Sequence, residues 1–518
     1  MNTTDFLNIA VAICPDRDAV VFERKRYTFS QLNERVNRLA NALLNLGVTR
    51  GDRVAMLQVN CNQHVETYFA VAKAGAIYVP LNFRAKGDEL KYMLNSAEAG
   101  VLFFGGRYID LVNSIKADVP SLKSIISVEG KHDGMLCYED VLDSAFAEDV
   151  VTEIDDNDTT MLVYTAGTTG FPKGVMLSHN SFTVYVLENV TPADPELEER
   201  NILTVPLYHV AGIQAMMAAI YGGRTLVMER QFEAGEWMEL VEREKANRAM
   251  MVPTMLKQLM EHPDFQKHDL SSLRVITYGA APMPLEVITR ALDVFPGVSF
   301  INAFGQTETA STITSLTPED HVISGSGEER DRKLKRLSSI GKAMSDVEMR
   351  VVDEGGNELP PGEVGEIIAR GPRVMTGYWK DEEKTKKAID EDGWVHTGDV
   401  GYVDEDGYFF LAGRSSDIII RGGENIAPEE LEAILRAHPA VDDTAVIGIP
   451  DEEWGEVPRA IVVLKPGETA TAGEIMEHCR QKLASYKRPR SVIFVDELPR
   501  NPMGKVLKRV LRDQYGKP

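Results

Sequence analysis

Apolar residues recur along the chain at two different periods, and the alternation between them organises it. Between Tyr27 and Leu46 the side chains of Phe29, Leu32, Val36, Leu39, Leu43 and Leu46 return at helical spacing, which gives one apolar face. Ser30 is the expected N-cap of that helix. Short unbroken runs such as Val54-Ala55-Met56-Leu57, Met161-Leu162-Val163 and Val275-Ile276-Thr277-Tyr278 read instead as buried strands. Up to about residue 330 the two kinds of segment alternate, which predicts an α/β fold of mainly parallel sheets with flanking helices.

The pattern then changes twice. The run Ser324-Gly325-Ser326-Gly327-Glu328-Glu329-Arg330-Asp331-Arg332-Lys333 has no apolar face and is expected to be a mobile surface loop. Beyond it strand and turn signals crowd together: Met349 to Val352 precede Glu354-Gly355-Gly356, and Tyr402-Val403 precede Asp404-Glu405-Asp406-Gly407. They predict a small antiparallel, barrel-like subdomain over about residues 340–412. From Arg414 onward come short strands with two helical stretches, Glu429 to Ala437 and Ala472 to Ala484. The expected division is a large N-terminal domain, 1–413, and a small α+β domain, 414–518; 518 residues exceed what one core sustains.

Composition narrows the function classes. A net charge of −23 repels phosphate backbones and anionic lipid surfaces, so no nucleic acid and no integral membrane contact are expected. A phosphate-rich small molecule would need a locally positive site lined by backbone N–H groups. The four cysteines, Cys14, Cys61, Cys137 and Cys479, form no CxxC pair. They suggest neither a zinc site nor a disulfide framework, and a reducing cytoplasm is the expected location. The apolar stretch Ile9 to Cys14 is too short for a signal sequence, and no run reaches transmembrane length.

The candidate chemistry begins at Tyr164-Thr165-Ala166-Gly167-Thr168-Thr169-Gly170-Phe171-Pro172-Lys173-Gly174, directly after a predicted strand. Its glycines admit close backbone approach, its hydroxyls donate hydrogen bonds and Lys173 adds charge, which is what a phosphate needs. The spacing is not that of a GxxxxGK[ST] loop. The stretch resembles the phosphate-loop signature of the adenylate-forming superfamily of acyl-CoA synthetases, luciferases and peptide-synthetase adenylation domains. The resemblance extends over essentially the whole chain, because the superfamily's other motifs occur in the same order. The one departure in the loop is Ala166, where relatives commonly carry Ser.

That resemblance implies roles for particular residues. Thr165, Gly167, Thr168, Thr169, Gly170 and Lys173 are expected to hold the phosphates of ATP. Gly279, Ala280 and Ala281, of Gly279-Ala280-Ala281-Pro282, are expected along the adenine and the acyl pocket, next to Tyr278. In Ala303-Phe304-Gly305-Gln306-Thr307-Glu308-Thr309, Thr307 is expected on the α-phosphate and Glu308 on Mg2+, a hard cation that suits a carboxylate. Ala303, Phe304 and Gly305 are expected to line the acid pocket. Asp399 of Thr397-Gly398-Asp399 is expected to hold both ribose hydroxyls, and Arg414 to reach ribose or phosphate. Gly422 and Gly423 are expected to let the pantetheine arm of coenzyme A pass, and Lys505 of the closing motif is the expected catalytic cation.

Two further expectations rest on the same resemblance. In Pro206-Leu207-Tyr208-His209-Val210-Ala211-Gly212, His209 is expected as a gate or wall of the pocket and not as a metal ligand or base. Ser416 stands where relatives carry the Asp or Lys hinge of a rotating C-terminal domain, which leaves the pivot open. Acetate-selective relatives carry Trp at the position of Gly305, so a medium-chain, alicyclic, aromatic or dicarboxylic acid larger than acetate is expected. The overall expectation is an AMP-forming acyl-CoA synthetase using a small-molecule carboxylic acid, ATP, Mg2+ and coenzyme A, with a homodimer allowed. A free-standing enzyme loading a carrier protein is the alternative, since the chain ends 13 residues after Lys505 with no carrier domain. A binding protein that lost the chemistry is the other, argued against by Lys173, Glu308, Asp399, Arg414 and Lys505 together.

Overall fold

The computed structural model describes residues 1–165, 172–414, 417–421, 424–451, 454–483, 485–501 and 504–517. Two large sheets dominate it. One has nine strands, in spatial order Lys342–Ala343, Thr314–Leu316, Ser299–Phe304, Val275–Gly279, Arg248–Met251, Arg200–Leu203, Thr225–Met228, Asp18–Phe22 and Lys25–Thr28. Its central pairs are parallel and its edges antiparallel. The other has eight, in the order Gly377–Tyr378, Lys173–Ser178, Thr159–Thr165, Ile77–Pro80, Arg53–Leu57, Val101–Phe104, Ser124–Ser127 and Leu136–Cys137.

One apolar cluster joins the facing surfaces of both sheets through the helices between them. It takes Leu203, Leu226 and Met228 from the first sheet, Val54, Met56 and Val163 from the second, and Leu39, Phe69 and Ile213 from the helices. Separate clusters cover the outer faces, so layers of helix and sheet alternate. The strands read as unbroken apolar runs because both of their faces are buried.

The predicted helix near the N-terminus is present as Phe29–Asn45. Its cap is Thr28 rather than Ser30: the Thr28 hydroxyl accepts from the Gln31 amide and the Gln31 side chain returns to the Thr28 amide. That reciprocal pair fixes the start two residues earlier. The charged run is not a loop throughout, since Glu328–Leu337 is helical. Acidic residues fill its first turn and Lys335 and Arg336 its last, complementing the helix dipole, and Glu329 pairs with Lys333 at 3.2 Å.

Past the helix, Glu348–Val352, Gly365–Arg370, Val395–Val403 and Phe409–Arg414 form a four-stranded antiparallel sheet. After it Glu424–Ile426, Ile419–Arg421, Gly455–Leu464, Val441–Asp451 and Ser491–Phe494 make a five-stranded sheet. The helices Pro428–Arg436 and Ala472–Lys482 pack on this last sheet around their own apolar cluster. Among the described residues no helix is long and apolar enough to cross a membrane.

Several histidines of the N-terminal part are held neutral by burial. Burial lowers the pKa of each of His64, His179 and His209 to about 4. A histidine whose folded pKa lies below its unfolded value contributes stability above about pH 6.5 that is lost as pH falls towards 4. At pH 5 the loss is on the order of 2 kcal/mol per histidine. The urea midpoint is therefore expected to fall steeply between pH 7 and pH 5, and a flat midpoint across that range would exclude neutral buried imidazoles.

Candidate active site

The site is built at the carboxyl ends of the parallel strands, where connections leave both sheets. Thr165 closes one strand and Lys173 opens the next, and the two residues pair across the antiparallel ladder. The phosphate-loop residues Gly167, Thr168, Thr169 and Gly170 between them lie outside the described residues. The neighbouring strand Gly377–Tyr378 pairs with Lys173–Ser178 and brings in a residue that belongs to none of the sequence motifs. The Lys173 ammonium lies 4.9 Å from the centre of the Tyr378 ring. The Tyr378 hydroxyl donates to Glu308 Oε1 at 3.0 Å, across 70 residues of sequence.

Glu308 and Thr307 sit in a single 3₁₀ turn, Thr307–Thr309, that comes after the strand Ser299–Phe304. The Gln306 amide donates to the Thr309 hydroxyl at 3.1 Å and closes the turn. Ala310 and Ser311 after it take left-handed backbone conformations, with φ of +48° and +89°. Gln214 holds them there: it donates to the Ala310 carbonyl at 3.1 Å and accepts from the Thr312 hydroxyl at 2.9 Å. Gln214 belongs to the helix Val210–Tyr221, whose N-cap is His209, so His209 and the Glu308 turn share one scaffold.

His209 is half-buried with its Nε2 enclosed, and that nitrogen has no hydrogen-bond partner among the described residues; the hydroxyl of neighbouring Tyr208 has none either. The two rings lie 4.2 Å apart, with Phe83 edge-on to Tyr208 at 5.2 Å. A neutral imidazole walled by aromatics suits a lining residue better than a base. On the other side, Gly279 pairs with Ala303 on the adjacent parallel strand, and a Cβ at Gly279 would stand 2.1 Å from the Ala303 carbonyl oxygen. Ala280 comes next with φ of +66° and is exposed, and Ala281 is half-buried.

Buried Tyr278 is fixed by its hydroxyl on His321 Nε2 at 2.9 Å, while His321 Nδ1 donates to the Thr317 carbonyl at 2.7 Å. Burial lowers the His321 pKa and raises that of Tyr278. Both side chains are therefore neutral, and the tyrosine is the donor.

Gly305 does not leave pocket room in the way the comparison with tryptophan suggested. A Cβ there would lie 1.5 Å from the Ser311 carbonyl oxygen and 2.6 Å from its carbon. The glycine is required because the returning backbone of Ser311 and Thr312 occupies that space. Gly305→Ala is expected to destabilise the protein by about 3 kcal/mol or more. It should also displace Thr307 and Glu308, and the checks are a lower urea midpoint and a higher KM for ATP.

The third element is the end of the four-stranded sheet. Asp399 and Arg414 face each other across the ladder, and Arg414 Nε approaches Asp399 Oδ1 at 2.7 Å while Nη1 donates to the Thr397 carbonyl at 2.8 Å. Asp399 is buried and its second oxygen, Oδ2, has no partner among the described residues. Burial raises its pKa, opposed by Arg414 and then Lys505, and the charge of Glu308 is felt there too. The two halves of the site therefore adjoin. A buried carboxylate oxygen left without a donor is what a ribose hydroxyl would satisfy.

Lys505 arrives on a tight turn in which its amide donates to Asn501 Oδ1 at 2.9 Å. The residue keeps solvent-exposed surface, yet protein surrounds its ammonium on most sides. Burial and then Arg414 lower its pKa; Asp399, Asp417 and Glu429 oppose the shift. The turn seats on the N-terminal part: a Cβ at Gly504, whose φ is +75°, would meet Thr254 Oγ1 at 2.5 Å. Nearby, Lys257 donates to Asp442 at 2.7 Å. Gly422, Gly423 and Ser416 lie outside the described residues.

Comparison with known proteins gives this arrangement its context. The model of the AMP-binding enzyme family matches residues 8–379. The chain belongs to that family. The model of the AMP-binding enzyme C-terminal domain matches residues 430–505. Relatives of this AMP-binding enzyme include the feruloyl-CoA synthase of Amycolatopsis sp., 36% identical over 503 residues that cover 97% of this chain and 96% of that protein. The indoleacetate–CoA ligase of Aromatoleum aromaticum is 33% identical over 514 residues, covering 99% and 98%. Among solved structures, the anthranilate CoA ligase AuaEII in complex with anthranoyl-AMP matches with a TM-score of 0.89 at 29% identity, covering 100% of this chain and 97% of that one. The resemblance read from the motifs is borne out, as is the α/β architecture with its antiparallel and C-terminal parts.

Proposed function

We propose a two-step course for this chain, which is an AMP-forming acid–thiol ligase of the acyl-CoA synthetase type. In the first step an oxygen of the substrate carboxylate attacks the α-phosphorus of ATP, a P–O bond forms, and pyrophosphate leaves with the electrons of the bond that breaks. In the second, the thiol sulfur of coenzyme A attacks the acyl carbon of the mixed anhydride. AMP leaves and the thiol proton passes to solvent. The carboxylate is already ionised at neutral pH, so the first step needs positioning and charge stabilisation more than a base.

The observation that carries the assignment of residues is the orphaned Asp399 Oδ2 beside Arg414 and Lys505. Asp399 takes the ribose hydroxyls, and Arg414 holds Asp399 in place while offering its remaining N–H groups to the nucleotide. Lys505 stabilises the negative charge that develops between carboxylate and α-phosphate. Thr307 donates to the α-phosphate, and Lys173 with the loop after Thr165 holds the outer phosphates. Gly279, Ala280 and Ala281 face the base, and Tyr278, Ala303, Phe304, Gly305 and His209 bound the acid.

Glu308 fits magnesium, a hard cation that takes carboxylate oxygen, and its Oε1 is held by the Tyr378 hydroxyl at 3.0 Å. Such a site takes most of its oxygens from the phosphates themselves. When bound there, magnesium supplies neutralising charge at the phosphate oxygens.

For the second step, residues 414–518 rotate as a domain, and Gly422 and Gly423 serve the path of the pantetheine arm. The seating of Gly504 on Thr254 supports the present arrangement as the adenylating one. Two relatives named for feruloyl-CoA and indoleacetate, and a structural neighbour carrying anthranoyl-AMP, favour a planar aromatic acid, and the Phe83, Tyr208 and His209 rings suit one.

The test is AMP release with MgATP over a panel from acetate through medium-chain, dicarboxylic and aromatic acids, with and without coenzyme A. Rates should be highest with an aromatic acid and depend on coenzyme A. Acid-dependent pyrophosphate exchange that coenzyme A leaves unchanged would instead point to a carrier-protein acceptor.

A further inference from the structure

Tyr378 lies outside the motifs from which the site was read, yet it touches two of the groups assigned to the phosphates. Its hydroxyl donates to Glu308 Oε1 at 3.0 Å and its ring lies under Lys173, 4.9 Å from the ammonium. The same short segment holds Glu308 from its backbone side, because the Met375 amide donates to the Glu308 carbonyl at 2.8 Å. Glu308 is thus gripped at both its main chain and its carboxylate by residues 375–378.

Tyr378 is itself rigid. It pairs with Val175 on the strand that Lys173 opens, its amide donates to the Thr385 hydroxyl at 2.9 Å, and the next amide, of Trp379, donates to the Gly174 carbonyl at 2.8 Å. Gly377 before it adopts φ of +151°, and a Cβ there would press on the Thr385 methyl at 2.8 Å. A ring so fixed between two sheets sets the distance between the lysine and the carboxylate.

We propose that Tyr378 is a positioning residue that holds the Glu308 carboxylate by one oxygen, leaving the other for the metal ion on ATP, while its ring keeps Lys173 aimed at the same phosphates. This rests on the reading of Glu308 as the metal ligand. Hydrogen bonds to a metal-binding carboxylate orient it, and their loss weakens metal affinity by about 10- to 100-fold. The ring contribution is separate, since a phenylalanine retains the cation–π contact.

The experiment uses the full chain and Mn2+ as a paramagnetic probe in the complex with ATP, read by electron paramagnetic resonance. Tyr378→Phe is expected to weaken Mn2+ binding in that complex about tenfold. The affinity for metal-free ATP should stay within about twofold, because the ring under Lys173 remains. Adenylation by the variant should recover at high Mg2+. Glu308→Gln should weaken Mn2+ at least as much, without recovery.

If Glu308→Gln weakens Mn2+ and Tyr378→Phe does not, the inference about Tyr378 is overturned and the reading of Glu308 stands. If Glu308→Gln leaves Mn2+ unchanged, both fall. A loss in Tyr378→Phe that tracks a lower melting temperature and is not rescued by Mg2+ would mean a structural role only, which also overturns the proposal.

Discussion

Lys505→Ala is expected to lower the rate of acyl-adenylate formation by roughly 100- to 1000-fold, the usual cost of removing one group that stabilises developing charge. Thioester formation from a supplied acyl-adenylate should be nearly unaffected. The first expectation comes from placement: the ammonium lies close enough to Asp399 and Arg414 for their charges to shift its pKa in opposite directions. The second comes from the turn that carries Lys505, which meets the N-terminal part at Thr254 and departs if the C-terminal part rotates for the thiol step. Because the residue is exposed, the variant should unfold within about 0.5 kcal/mol of the parent. Half-reactions followed separately by pyrophosphate release and by acyl transfer provide the check. Equal losses in both would remove Lys505 from its assigned role.

Asp399→Asn is expected to raise KM for ATP by roughly 10- to 100-fold, as befits the loss of a hydrogen bond to a charged group. The change in kcat should be smaller, because ribose contacts are present in both the ground state and the transition state. The substitution keeps the shape of the side chain but removes the charge that Arg414 Nε contacts at 2.7 Å. Since Arg414 is one-third exposed, water can take over its unmet N–H groups, and the fold should survive. ATP lacking its 2′ and 3′ hydroxyls provides a cycle. The analogue should bind the parent poorly and lose little more in the variant, because the two changes remove one interaction. Additive losses would mean that Asp399 acts elsewhere.

Local signals were legible where a single helix or strand decides its own form. The helix Phe29–Asn45 was readable because its apolar face is continuous, and only its cap was displaced, by the Gln31 partner of Thr28. Glu328–Leu337 was misread because it buries only Leu337 and owes its form to ordered charges rather than to an apolar stripe.

The site shows the same divide. Asp399, Arg414, Glu308 and Lys505 could be named from motif context, but the free oxygen of Asp399 is created by burial that no tripeptide reveals. Glycine in place of tryptophan at Gly305 suggests room for a larger acid, although the chain returns through Ser311 to fill that space. Tyr378 was missed because its importance arises from a strand pairing with Val175 and a contact with Glu308, both distant in sequence. Close approaches and long-range pairings leave only a glycine or a lone aromatic in the sequence, and many unrelated turns leave the same mark.

The most direct test of the chemistry is the fate of oxygen from an ¹⁸O-labelled acid substrate turned over with MgATP and coenzyme A. Attack of the carboxylate on the α-phosphorus predicts one labelled oxygen in the AMP released and none in pyrophosphate. Label in pyrophosphate, or formation of ADP with labelled phosphate, would contradict an acyl-adenylate and with it the roles assigned to Asp399, Arg414 and Lys505.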